Sequence, residues 1–137
     1  MEIREFEAAD EPQVVVLWTT AFGYQQSHNE PRRVIQQKLA VADHLFFVAV
    51  EQGQIVGTVM GGYDGHRGWI YSLAVADNRR RQGIGTALMR HVERELAARS
   101  CEKINLQVVS TNAAVVEFYR RVGYAVEERI SMGKVLS

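Results

Sequence analysis

The stretch from residue 69 to residue 96 leaves this chain few ways to fold. Trp69, Ile70, Tyr71, Ser72, Leu73, Ala74 and Val75 read as a buried strand, and Ile84, Leu88, Val92 and Leu96 repeat at helical spacing with Ala87 between them. The basic turn Arg79, Arg80, Arg81, Gln82, Gly83, Ile84, Gly85, Thr86 joins the two. A strand that turns over glycines into an amphipathic helix collects main-chain N–H groups at the helix N-terminus, where the dipole favours anions. Gly83 and Gly85 lack a Cβ, so a phosphate can come close to the backbone there. A diphosphate cradle built from the main chain of Gln82, Gly83, Ile84, Gly85 and Thr86, assisted by the charge of Arg80 or Arg81, is one reading. A solvated loop before a surface helix is the other. No Gly-Lys-Ser/Thr follows the glycines, and Leu88 stands where a dinucleotide fingerprint needs a third small residue, so nucleotide hydrolysis and hydride transfer both lose ground.

Around this unit the chain alternates strands and helices. Ile3 and Phe6 mark a half-buried first strand, Asp10 is placed to cap a helix that starts at Pro12 and turns Val14, Leu17, Trp18 and Ala21 inward, and Gly23 ends it. Asn29 and Pro31 open a second helix through Val34, Ile35, Lys38 and Leu39. Residues 45–50 and 55–60 flank Gln52-Gly53 as a hairpin, and the turn at residues 63–68 leads into the 69–75 strand. After the helix that runs to about Arg99, a strand is expected at 104–109, a helix at 112–122 and a short strand pair at about 126–135. The pattern is that of an α/β (α+β) sheet protein, and 137 residues suit one domain, 1–137.

Strand, loop and two helices together resemble the GNAT N-acetyltransferases. The loop matches the family's Arg/Gln-x-x-Gly-x-Gly/Ala motif at Arg80, Gly83 and Gly85. Asn112, Ala113, Ala114, Val115, Val116, Glu117, Phe118 and Tyr119, followed by Val122-Gly123-Tyr124, match its Asn-x-x-Ala-x-x-x-Tyr…Leu-Gly-Phe/Tyr helix. The resemblance is strong from about Leu45 to Tyr124 and is greatest to the small bacterial YpeA-type branch. It implies a GNAT-type acyl-CoA N-acyltransferase fold, with a mixed central sheet flanked by helices and a splayed pair of parallel strands at 69–75 and 104–109. It also implies acetyl-CoA as cosubstrate, lying along the main chain of Leu73, Ala74 and Val75, with an N–H there as oxyanion donor. Tyr119 would be the general acid, and Asn112 a partner of the cofactor's amides.

Each of these residues has a plainer reading. Tyr119 shares a helical face with Val115, Phe118 and Val122 and would serve equally as core, and Asn112 would serve as a helix cap. The base is where the chain departs from a close branch: ribosomal-protein alanine acetyltransferases carry a glutamate before the Asn…Tyr helix, and this chain has Gln107, whose amide takes no proton. His66, near Asp64 and Tyr63, is the best-placed histidine to replace it, or a water does so; a surface or structural role is its plainer reading. Tyr24, Asn29, Glu30 and Tyr63 are candidates for contact with an amine-bearing small molecule or peptide, and Asn29 and Glu30 equally serve a helix start. A catalytically silent CoA-binding sensor is the alternative that Gln107 suggests.

Charge and composition exclude other classes. Sixteen basic and sixteen acidic residues cancel, which leaves no broad basic face for nucleic acid. The apolar runs are too short to span a membrane, and the start of the chain lacks a signal-peptide pattern, so a cytoplasmic monomer or homodimer is expected. Cys101 is the sole cysteine and the His, Asp and Glu spacings suit no metal, so no metal is expected.

Overall fold

The computed structural model describes residues 1–23 and 29–136; Tyr24 and His28 fall outside them. The chain divides into two compact units, Met1–Gln107 and Val108–Ser137. The first carries β1 (Glu2–Glu5), α1 (Glu11–Phe22), α2 (Pro31–Val41), β2 (Phe46–Glu51), β3 (Gln54–Tyr63), β4 (Gly68–Val75), α3 (Ile84–Ala98) and β5 (Ile104–Leu106), and the second carries α4 (Ala113–Arg121). The five strands form one sheet in chain order, antiparallel from β1 to β4 and parallel between β4 and β5.

Local chemistry explains most of these elements. Gln52 and Gly53 both take left-handed φ, 53° and 77°, as the two-residue turn between β2 and β3 requires. Gly23 stops α1 with φ 77° and donates to the Thr19 carbonyl at 3.0 Å. Asp10, expected to cap α1, makes no cap bond to that helix. Its carboxylate receives both guanidinium nitrogens of Arg4, at 2.7 and 2.9 Å, and the Glu7 N–H at 2.9 Å, because a bidentate cation outcompetes a lone peptide N–H. Glu30 rather than Asn29 caps α2, accepting from Arg32 N and Arg33 N at 3.2 and 3.0 Å.

Successive residues of β3 point to opposite faces of the sheet, and each face has its own cover. Thr58 and Met60 meet the α1 and α2 side, where Val14, Leu17, Trp18 and Ile35 pack with Phe46, Val48 and Ala74. Gly57 and Gly61 meet α3: a methyl at Gly61 would sit 2.7 Å from Val92 Cγ2, and one at Gly57 would sit 2.9 Å from Leu88 Cδ1. Glycine at both places lets α3 settle against the strand.

Burial on α2 runs against polarity, and two strand expectations fail. Leu39 is exposed while Lys38 is buried, because the Lys38 ammonium finds the Asp43 carboxylate at 2.8 Å, the Gly61 carbonyl and the Tyr71 ring. The last strand of the sheet ends at Leu106 rather than at 109. No strand pair forms at 126–135: residues 125–136 carry no helix or strand, and Ile130 and Met132 are each 90% exposed. Alternating apolar residues supply one face of a strand, but a strand exists only where a neighbour completes its hydrogen-bond ladder.

Candidate functional site

The turn after β4 is braced before it reaches the glycines. Ala76 N donates to Val56 O at 2.9 Å, a short 3-10 turn covers Asp77–Arg79, and the Arg79 guanidinium pairs with the Glu51 carboxylate at the end of β2. Arg80 lies 3.2 Å from Asp77, with both side chains largely in solvent. The basic run of residues 79–81 therefore divides: Arg79 anchors the loop, a role its sequence does not announce, while Arg80 and Arg81 stand at the surface.

Arg81 and Gly83 then take left-handed φ, 66° and 79°, and Gly83 becomes the N-cap of α3. A methyl at Gly83 would meet no atom within 4 Å, so the space in front of this turn is open. No side chain caps the helix, and Ala87 N to Gly83 O, at 3.0 Å, closes its first turn. The main-chain N–H groups of Ile84, Gly85 and Thr86 thus lie in the part of a helix that has no intrahelical acceptor. Gln82 is exposed and Ile84 is buried, so the turn presents its backbone outward while its apolar side chain anchors it.

The strand leading into this loop is irregular. Thr58 pairs with Ala74 and Met60 with Tyr71, so β4 carries one residue more than β3 across the same span, and Ser72 takes φ 54°. Parallel pairing with β5 ends at Ile70 and Leu106, leaving residues 71–75 of β4 without a β5 partner. This is the opening expected between the two parallel strands. Leu73 and Val75 are half-buried and Ala74 is buried. A methyl built on Gly57 would lie 3.1 Å from both the Ala74 carbonyl and Ile84 Cγ2, so the β4 segment and the first turn of α3 come together over one glycine.

In the second unit the Asn112 carboxamide oxygen accepts from Val115 N at 3.3 Å, which caps α4. Tyr119 lies two turns further on, its ring edge-on to Phe118 and Tyr124 at 5.2 and 5.9 Å between centroids. Burial pushes its phenol up to about 12. Tyr124 N donates to Tyr119 O at 2.9 Å, which folds the chain back beyond the left-handed Gly123, φ 104°.

Gln107 and His66 both lie outside helix and strand. Gln107 is exposed, just past the end of β5. His66 is exposed in the β3–β4 turn, where the Asp64 carboxylate accepts from His66 N and Arg67 N at 2.8 and 2.7 Å; these bonds, the one from Arg67 foremost, hold Asp64 below the usual carboxylate range. Tyr63 Oη lies 3.3 and 3.4 Å from the Gly65 and Ser100 carbonyls. These contacts give Asp64 and Tyr63 a part in building the turn. Among the described residues no group of His, Cys, Asp and Glu is arranged to hold a metal, and no helix is long and apolar enough to cross a membrane.

The sequence profile of the acetyltransferase (GNAT) family matches residues 11–124. An acetyltransferase of Yersinia enterocolitica is 41% identical over 136 residues, covering 99% of this chain and 96% of its own length, and one of Yersinia pestis matches equally. Solved structures share the fold at lower identity. The Ard1 protein of Thermoplasma volcanium superposes with TM-score 0.81 at 24% identity, over 92% of this chain and 83% of its own. An aminoglycoside N-acetyltransferase in complex with CoA gives 0.80 at 16%, over 99% and 95%. The Escherichia coli ribosomal-protein-S18-alanine N-acetyltransferase gives 0.71 at 23%, over 89% and 76%. A mixed five-stranded sheet, a glycine turn opening α3 and these matches place the chain in the GNAT acetyltransferase family, and make it an acyltransferase.

Proposed function

We propose that this acetyltransferase moves an acetyl group from acetyl-CoA to a primary amine of a small molecule or peptide, by direct attack while both substrates are bound. One observation carries the reading: the uncapped first turn of α3 stands beside the stretch of β4 that β5 leaves unpaired. The first offers N–H groups to a diphosphate, and the second offers main-chain groups to an extended chain of amides, as a further strand would. The residues present therefore fit the cosubstrate at both ends of its arm. Acetyl-CoA supplies an acyl group activated as a thioester.

The protein's own residues have distinct tasks. Gln82, Gly83, Ile84, Gly85 and Thr86 bind the diphosphate through backbone N–H groups, and Arg80 and Arg81 add positive charge at the surface. Leu73, Ala74 and Val75 orient the arm and provide an N–H for charge developing on the carbonyl oxygen. Asn112 uses its carboxamide oxygen as a cap, which leaves its NH2 for an amide carbonyl. Tyr119 holds a proton at its phenol oxygen for the departing sulfur. With its pKa raised to about 12, the phenol stays protonated across the working range.

That pKa also limits how the proton moves. Full transfer to an alkyl thiolate, whose acid is the stronger of the two, is uphill. Tyr119 therefore acts by donating a hydrogen bond that tightens as the carbon–sulfur bond breaks, rather than by prior proton transfer.

Gln107 cannot take the amine's proton. His66, exposed in the β3–β4 turn, takes that proton, or the acceptor enters as the neutral amine or gives its proton to water. The chain, 1–137, acts as a single GNAT domain, in the cytoplasm, as a monomer or homodimer without metal or nucleic acid. The sensor alternative loses its ground with the family assignment.

The test is calorimetric titration with acetyl-CoA, followed by an amine and peptide screen with detection of the released thiol. Binding accompanied by thiol release on an amine supports the reading. Failure to bind acetyl-CoA refutes it.

A further inference from the structure

Ser72 is the one residue of β4 that takes a left-handed backbone. A non-glycine residue there costs about 1 kcal/mol or more, so something nearby must hold it. The bulge also gives the Ser72 carbonyl a new direction, and a carbonyl that leaves its ladder needs another donor.

The donor is Thr58, which is fully buried. Its hydroxyl donates to Ser72 O at 2.9 Å. Trp18 Nε1, on α1, donates to the same hydroxyl oxygen at 2.8 Å. Because the indole N–H can only donate, it occupies the hydroxyl's acceptor side and leaves its single hydrogen for Ser72. Trp18 itself is 3% exposed and packs against Phe46 with 5.8 Å between ring centroids, so the indole is fixed by the core.

We infer that Trp18 and Thr58 are positioning residues: through this chain of two hydrogen bonds they hold the Ser72 bulge, and the bulge sets the main chain of Leu73, Ala74 and Val75 for the thioester-bearing arm. This rests on the acetyl-CoA reading above. Ile70 pairs with Gly61, which faces α3, whereas Ala74 pairs with Thr58, which faces α1. Four residues apart in a regular strand they would share a face, so the bulge turns the strand over between them. Residues 73–75 take their orientation from that turn, while the diphosphate-binding turn of α3 is braced separately, by Ala76 on Val56 and by Arg79 on Glu51.

The experiment compares acetyl-CoA with ADP, which shares the diphosphate but lacks the arm. Thr58→Val keeps the shape and removes the hydroxyl; it weakens acetyl-CoA binding about 10-fold, or about 1.4 kcal/mol, and leaves ADP binding within 2-fold of wild type. Thr58→Ser restores the hydroxyl and recovers acetyl-CoA binding. Trp18→Phe, which frees the hydroxyl to rotate, gives an intermediate loss of about 3-fold and keeps the inference testable should Thr58→Val fold poorly. In the free protein, the Trp18 indole proton exchanges slowly with solvent in wild type and Thr58→Ser, and quickly in Thr58→Val.

Equal losses for acetyl-CoA and ADP in Thr58→Val would mean general damage and overturn the inference, as would unchanged acetyl-CoA affinity. A fast-exchanging Trp18 indole in wild type overturns it regardless of ligand. Wild-type protein with a protected indole and no acetyl-CoA binding overturns instead the proposed function, and with it the role of the bulge there.

Discussion

Gly57→Ala probes the join between strand and anion turn. The added methyl would stand 2.9 Å from Leu88 Cδ1, 3.1 Å from Ile84 Cγ2 and 3.1 Å from the Ala74 carbonyl oxygen. Leu88 is fully buried and Ile84 is 3% exposed, and the third neighbour is backbone, so none can yield without moving its element. Overpacking of this kind costs about 1–3 kcal/mol, and the stiffer unfolded chain returns about 0.4–1 kcal/mol. The net loss is therefore roughly 0–2.6 kcal/mol, or a fall in Tm of up to about 9 °C for a chain of this size. Function suffers separately, because relief of the clash pushes the first turn of α3 away from β4; acetyl-CoA affinity falls about 5- to 10-fold.

The control is Gly61→Ala. Its methyl would lie 2.7 Å from Val92 Cγ2, two turns further along α3. It destabilises by a similar amount but spares acetyl-CoA affinity. Thermal unfolding and calorimetry on both variants decide the matter. If Gly57→Ala binds acetyl-CoA like wild type, or if both variants lose affinity alike, the join at Gly57 does not position the site.

Three further outcomes follow from the same geometry. Tyr119→Phe lowers kcat about 10²-fold and leaves acetyl-CoA affinity nearly intact; and since burial raises the phenol to about 12, the wild-type kcat profile shows no falling alkaline limb up to pH 10. A limb near pH 9, or unchanged kcat in the variant, removes Tyr119 as the acid. Arg4→Met costs about 2 kcal/mol at neutral pH by stripping the Asp10 carboxylate of its partner. The hydrogen bond from Arg4 lowers the Asp10 pKa, so this stability is present above the ordinary carboxylate range and is lost as pH falls through the folded-state value; denaturant titrations of variant and wild type converge below about pH 4. Arg79→Ala releases the loop from Glu51 and weakens acetyl-CoA binding through loop disorder, so Glu51→Ala reproduces the loss. An effect of Arg79→Ala that Glu51→Ala does not share would make Arg79 a direct ligand.

Much of the fold was legible in local pattern. The Gln52-Gly53 turn, the pairing of β2 with β3 as a hairpin, the end of α1 at Gly23 and the span of α3 each follow from a short run of residues whose conformational needs are met by neighbours in sequence. Capping was less legible. Asp10 and Glu30 are both acidic residues just before a helix with an early proline, yet only Glu30 caps, because Arg4 reaches Asp10 from β1. The apolar tail at 126–135 has a strand's pattern and no ladder, since pairing partners are not encoded in the segment that seeks them.

The candidate site shows the same division. Gly83, Gly85 and the helical repeat after them announce a glycine turn that opens a helix, because a left-handed cap and an uncapped helix start depend on residue types within a few positions. Asn112 likewise announces the start of α4. What only the tertiary structure decided is which main-chain groups of β4 become available. Alternation along residues 69–75 gives no hint that Ile70 and Ala74 face opposite ways, or that Ser72 lies between them with a left-handed backbone. That geometry is held by a hydroxyl 14 residues upstream and an indole 40 residues before the hydroxyl. Hydrogen bonds across such separations form only once the core has closed around them, and so no window of sequence contains their cause.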